Sequence, residues 1–155
     1  MEDYALLLRQ AESLMEGESH PLPAMANLSA LLFNSLDRLN WAGFYLMEGG
    51  SLMLGPFQGK AACIRIQTGR GVCGTAAAED APQLVRNVHQ FPGHIACDSA
   101  SNSELVIPIH ADGKIAGVLD LDSPVIGRFT ESDRDGLLPL VHALETMCDW
   151  KRWTL

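Results

Sequence analysis

Basic residues are scarce in this chain. Eleven Lys and Arg stand against nineteen Asp and Glu, leaving a net charge of −8 at pH 7. No basic stripe is available to displace counterions from phosphates, so nucleic acid is not expected as a partner. The same acidity disfavours an anionic membrane surface. Long apolar runs are missing too, and nothing approaches the roughly 20 residues of a membrane-spanning helix. The opening MEDYALLLRQAE lacks a basic segment, a long apolar stretch and a small-residue cleavage site, so a secretory signal is not expected. These absences lead to the expectation of a soluble cytoplasmic protein. Repeats and low-complexity segments are also absent, and 47% hydrophobic with 19% charged residues is globular composition rather than disorder. One domain over residues 1–155 is expected, large enough to bury a core without disulfides or metal.

Cysteine is sparse, with four in the chain. None stands at the C-x2-C or C-x4-C spacing of a zinc ligand pair, and His89 and His94 complete no finger pattern. No metal and no cofactor is therefore expected. Cys63, Cys73 and Cys97 lie in ACIRI, GRGVCGT and GHIACDSASNSE, segments too polar or too rich in glycine for ordinary core filling. Intracellular thiols are kept reduced, so such a cluster points to thiol chemistry rather than to a structural staple.

Along the chain, Tyr4, Leu7, Leu8, Ala11, Leu14 and Met15 recur at helical steps up to Gly17. After Pro21 and Pro23, a second stripe runs through Met25, Leu28, Leu32, Leu36 and Leu39. WAGFYLM and SLMLGPF flank a Gly-Gly turn and read as a β-hairpin. ACIRIQ alternates as a half-buried strand, and TAAAED opens a short helix after the glycines around Cys73. No Lys-Ser/Thr pair follows those glycines, so they form no P-loop. Residues 87–103 show no period, a length that in a compact domain usually means function or disorder. ELVIPIH and IAGVLDLD form a second hairpin about Asp112-Gly113. The last helix starts near Thr130, whose spacing to Asp133 suits a capping box, and Pro139 should kink or delay it. Cys148 falls on its apolar stripe and reads as core. Helices at both ends with five or six strands between them give an α+β class with a mostly antiparallel sheet, the terminal helices covering one face.

Several residues invite a chemical reading. Residues 98–101 after Cys97 suit a turn whose successive N–H groups would stabilise a thiolate or hold an anion. For a cysteine alone, a small buried residue in a loop is the ordinary reading; three in polar surroundings shift the balance towards function. Asp120 and Asp122 share one strand face, and like charges there need a cation or a proton between them. Glu104 opens a strand directly after the long loop. Solvent-exposed strand-end carboxylates are the plain alternative for all three. Trp41 and Tyr45 also share a face, as core or as an aromatic wall for a ligand.

Taken together, NWAGFYL, LGPFQGKAAC, GRGVCGTA, GHIACDSASNSELVIPI and GVLDLDSPVIGRF resemble the free methionine-(R)-sulfoxide reductases, a family of stand-alone GAF-domain enzymes. The match runs from about Trp41 to Thr130. The resemblance implies a GAF-like fold and reduction of free L-methionine (R)-S-oxide to L-methionine. It implies Cys97 as the catalytic cysteine, Cys63 as the principal resolving cysteine and Cys73 as an additional recycling cysteine. Glu104, Asp120 and Asp122 match the family's acidic pocket positions, while Trp41 and Tyr45 match its aromatic wall. Glu104 or Asp122 would supply a proton as the sulfoxide oxygen leaves. The carboxylates would also pair the ammonium of a free amino acid, with its carboxylate on backbone N–H groups of the Cys97 loop. Thioredoxin or a similar dithiol would reduce the resulting disulfide, and a homodimer through the terminal helices is implied. The rival reading is a non-catalytic GAF domain that only senses or binds a small ligand, because fold does not fix function. Against it, such sensors usually belong to longer chains, and these residues contain no second domain to regulate.

Overall fold

The computed structural model describes residues 2–95 and 97–153. Helix α1 spans Tyr4–Met15 and starts where the Asp3 carboxylate accepts the Leu6 N–H at 2.9 Å. Helix α2 spans Pro21–Ser35. Pro21 suits a first-turn position, where its missing N–H would have had no intrahelical partner. Here the expected stripe overruns the helix: Leu36 is already extended, and Leu39 lies in the connection beyond the turn at residues 37–38.

Strands β1 (Trp41–Glu48) and β2 (Ser51–Gly59) form the first hairpin. Strand β3 is shorter than expected, only Arg65–Gln67. Ala62 and Cys63 belong to the preceding connection, and Ile64 stands 70% exposed. Helix α3 runs from Gly71 to Glu79, four residues ahead of the expected TAAAED start, so Cys73 lies in its first turn rather than in a loop. Gly71 adopts φ +63°, a conformation that glycine reaches without penalty. Gly74 lets the helix press on the end of β3, since a Cβ there would come within 2.5 Å of the Gln67 carbonyl.

Strand β4 (Gln83–Val85) lay outside the sequence expectation, being too short to show alternation. Residues 86–102 are irregular as expected, apart from one 3-10 turn at Val88–Gln90. Strands β5 (Ser103–Ala111) and β6 (Lys114–Ser123) form the second hairpin. Helix α4 (Glu131–Met147) begins with the expected capping box between Thr130 and Asp133. Pro139 does not interrupt it: the residue is exposed, and the carbonyl it leaves without a helical donor can be met by water.

The six strands form one antiparallel sheet in the order β3-β2-β1-β6-β5-β4. One face carries Phe44, Leu46, Leu105, Ile107, Leu119 and Leu121 and is covered by α1, α2 and α4, the arrangement expected of the terminal helices. Cys148 joins that core, as its place on the stripe predicts. The opposite face carries Trp41, Tyr45, Val106 and Val118 and is covered by α3. Among the described residues, no helix is long and apolar enough to cross a membrane.

Candidate active site

The candidate site grows from the register of three central strands on the face covered by α3. Residues directly opposite in a sheet project to the same side. Trp41 pairs with Asp122, and Asp122 pairs with Glu104. One row on, Gly43 pairs with Asp120 and Asp120 with Val106; Tyr45 and Val118 form the third. Three carboxyls from two strands are therefore forced onto one patch, beside an aromatic pair from the third.

All three carboxyl groups are buried, which removes the solvent-exposed alternative. Burial pushes the Glu104 carboxyl well above its ordinary range, and the Asp120 and Asp122 charges push it further. Asp122 is raised well up by burial and then by Asp120. Asp120 is raised by burial, while hydrogen bonds from Glu104, Cys73 and Asp122 pull it back. Like charges this close cannot all ionise without a cation. The consistent arrangement keeps Asp120 as the acceptor and leaves protons on Glu104 and Asp122. Asp120 Oδ1 fits this account: it is buried with no N–H or O–H donor among the described residues unless a neighbouring carboxyl or thiol carries the proton.

The aromatic wall also anchors the segment leading to Cys63. The Trp41 indole N–H donates to the Lys60 carbonyl at 3.1 Å, and the Tyr45 hydroxyl donates to the Cys63 carbonyl at 2.9 Å. Trp41 stacks between Tyr45 and Phe57, with ring centroids 5.9 and 5.1 Å away.

Cys63 and Cys97 are joined by a disulfide, their Cα atoms 5.5 Å apart, so the long loop is bonded to the β2–β3 connection. Cys73 is a buried free thiol whose Sγ lies 3.9 Å from Glu104 Oε2. Burial first, and then the charges of Asp120 and Glu104, push that thiol well above its usual range. The residues singled out from the sequence (Trp41, Tyr45, Cys73, Cys97, Glu104, Asp120 and Asp122) line one pocket, and Cys63 adjoins it through the disulfide. With the disulfide closed, the pocket encloses about 40 Å³.

A GAF-domain family model matches residues 25–147. Free methionine-R-sulfoxide reductase of Escherichia coli is 54% identical, over 98% of this chain and 94% of that protein. The solved structure of fRMsr of Staphylococcus aureus in complex with substrate superposes with a TM-score of 0.92 at 50% identity, covering 96% of this chain and 97% of that one. Free methionine-R-sulfoxide reductase of Neisseria meningitidis, also solved with its substrate, superposes at 0.90 with 42% identity, covering 93% and 87%. The chain belongs to the free methionine-R-sulfoxide reductase family.

Three residues in or beside the pocket of this reductase-family chain lay outside the sequence reading. Arg70 is the one Lys or Arg among the lining residues, and it precedes α3 without a side-chain cap, so the helix presents open N–H groups there. Arg70 among the glycines around Cys73 was the available signal for an anion site, although the start of the helix beside it was not legible. Ile95 lies over Gly71, its Cδ1 3.2 Å from where a Cβ would stand. Asn40, just ahead of β1, bonds to the loop after Cys97 and carries no sequence signal beyond its place in NWAGFYL. The turn expected to offer N–H groups to an anion is, in part, committed elsewhere. Ala100 N–H donates to the Asp98 carboxylate at 2.9 Å, and Ser101 N–H to the Asp98 carbonyl at 3.2 Å.

Proposed function

We propose that this chain reduces free L-methionine (R)-S-oxide to L-methionine, working as a single GAF-like domain over residues 1–155. The observation that carries the reading is the Cys63–Cys97 disulfide at the mouth of a pocket with an aromatic wall and three buried carboxyls. Reduced Cys97 attacks the sulfoxide sulfur as a thiolate. The oxygen passes to Cys97 with one proton, giving methionine and a sulfenic acid. Glu104 or Asp122 supplies that proton, since burial and the neighbouring carboxyls raise both well above the ordinary carboxyl range. The Cys63 thiol then displaces water from the sulfenic acid to form the disulfide.

Substrate selection follows from charge. A free amino acid brings an ammonium group that Asp120, with its partners, can pair in a dry site. Its carboxylate is better met by the N-terminus of α3 and Arg70 than by the loop after Cys97. Trp41 and Tyr45 pack the thioether end. A peptide-bound methionine sulfoxide has no ammonium and cannot balance the acidic floor.

Recycling needs two electrons from outside. A protein dithiol such as thioredoxin attacks the disulfide, forms a mixed disulfide and resolves it with its second thiol. Cys73 serves as the additional recycling thiol, and its burial makes it the slower partner. A reducing cytoplasm suits this cycle, and the terminal helices are the surface for a homodimer. A domain that only binds a ligand would have no use for a disulfide at its pocket. The test is turnover of free methionine sulfoxide that depends on added dithiol, with each epimer and the N-acetylated compound assayed separately. Rapid reduction of the acetylated compound would remove the ammonium pocket from the account. No turnover of the R epimer would overturn it entirely.

A further inference from the structure

Asn40 ties the Cys97 loop to the strand that carries Asp122. Its backbone N–H donates to the Asp122 carbonyl at 3.0 Å. Its side-chain Nδ2 donates to Asp98 Oδ2 at 3.0 Å and to Ser101 Oγ at 2.9 Å, using both of its hydrogens. Asn40 Oδ1 is buried and meets no donor among the described residues. A flipped amide would set that oxygen against the Asp98 carboxylate, so the charge of Asp98 fixes the orientation seen. An unmet buried acceptor is costly, and here it accompanies the commitment of both donors to the loop.

What Asn40 grips is already a closed turn. Asp98 accepts the Ala100 N–H through its side chain and the Ser101 N–H through its carbonyl. Cys97 directly precedes this turn. Ahead of Cys97 the backbone bonds of the described residues are local, from Cys97 N–H to the Ile95 carbonyl and from His94 N–H to the Phe91 carbonyl. In the disulfide state Cys63 itself holds Cys97. Reduction removes that tether, while the bonds from Asn40 can persist.

We propose that Asn40 is a positioning residue for reduced Cys97: through Asp98 and Ser101 it holds the sulfur over Glu104 and Asp122. The inference rests on the reading of Cys97 as the nucleophile. Asn40 touches no reacting atom. Its contribution is geometric, and a misplacement of about 1 Å in a reacting group can cost on the order of a hundredfold in rate.

The experiment measures methionine released in a single turnover by pre-reduced protein without added dithiol. Unmodified protein, Asn40→Ala, Asn40→Asp and Asp98→Ala are compared, along with Asn40→Ala combined with Asp98→Ala. Asn40→Ala and Asn40→Asp should each slow release by about 10- to 100-fold. Substrate affinity should change by less than about threefold, because the floor and wall are untouched. Asp98→Ala should add little to Asn40→Ala, since both changes loosen the same turn. The melting temperature of the disulfide form should stay near that of the unmodified protein, where Cys63 holds the loop. Release within about twofold of wild type in Asn40→Ala, or additive losses in the double variant, would overturn the positioning role. Slowed release matched by an equal fall in stability of the disulfide form would make Asn40 merely structural. If the unmodified protein itself released no methionine, the parent reading would fail, and this one with it.

Discussion

At the residue scale, the carboxyl cluster and the two bonded cysteines carry separable tasks. Asp122→Asn keeps the size of the side chain but removes both its charge and its transferable proton. Steady-state turnover should fall by roughly a hundredfold or more, as for a lost acid–base group. A variant with turnover near wild type would transfer the proton to Glu104 alone. In the proposed cycle Cys63 acts after methionine has left. Cys63→Ser should therefore still release about one methionine per chain in a pre-reduced single turnover, while dithiol-driven cycling falls sharply. Loss of that first release would place Cys63 in the attack step or in folding. Asp120 differs from its neighbours because it receives their hydrogen bonds, an assignment that depends on three side chains from three elements.

At the scale of elements, α3 bounds the pocket at one end and is anchored at the other. It covers the acidic floor, carries Cys73 in its first turn and begins without a side-chain cap. Its far end is held by His110 on β5. The imidazole Nε2 meets Asp80 Oδ1 at 2.5 Å, and Nδ1 meets Glu145 Oε2 on α4 at 2.9 Å. With a carboxylate on each nitrogen, the doubly protonated ring satisfies both contacts. Burial alone would lower the His110 pKa, but the hydrogen bonds to Asp80 and Glu145 outweigh it and raise it. A raised folded-state pKa gives stability that is fully present below the unfolded value of about 6.5. That stability is lost as pH rises through the folded value. Urea unfolding of wild type and His110→Gln should therefore differ most near pH 6 and converge as pH is raised above neutral. A gap that widened with pH would show that the neutral ring makes the tie.

For the whole molecule, the disulfide and the pocket are coupled through the long loop. With the disulfide closed, the pocket leaves a free interior of about 40 Å³, narrow for an amino acid. Reduction should free the loop over Gly71 and admit the ligand. Calorimetric titration with methionine sulfoxide should then show binding to a pre-reduced Cys97→Ser protein and none to the disulfide form of the wild type. Equal affinity for the two would mean that the loop does not close the pocket.

The hairpins, the capping box at Thr130 and the core stripe of α4 were legible because each is a local pattern of turn residues or apolar spacing. The three cysteines stood out because their segments read as poor core, although Cys73 packs into the core beneath α3. The sequence by itself determined the α+β class, the acidic character that argues against nucleic acid as a partner, and, by resemblance, the family. It did not place the start of α3, because a glycine opens that helix and no side chain caps it. It could not show β4, too short for alternation, or the role of Asn40, whose partners lie 58 and 61 positions away. Only the tertiary structure decided that Glu104, Asp120 and Asp122 are buried together; the Cys63–Cys97 bond it shows is the one the resemblance implied. Burial and proximity between distant segments set both, and a local pattern records neither.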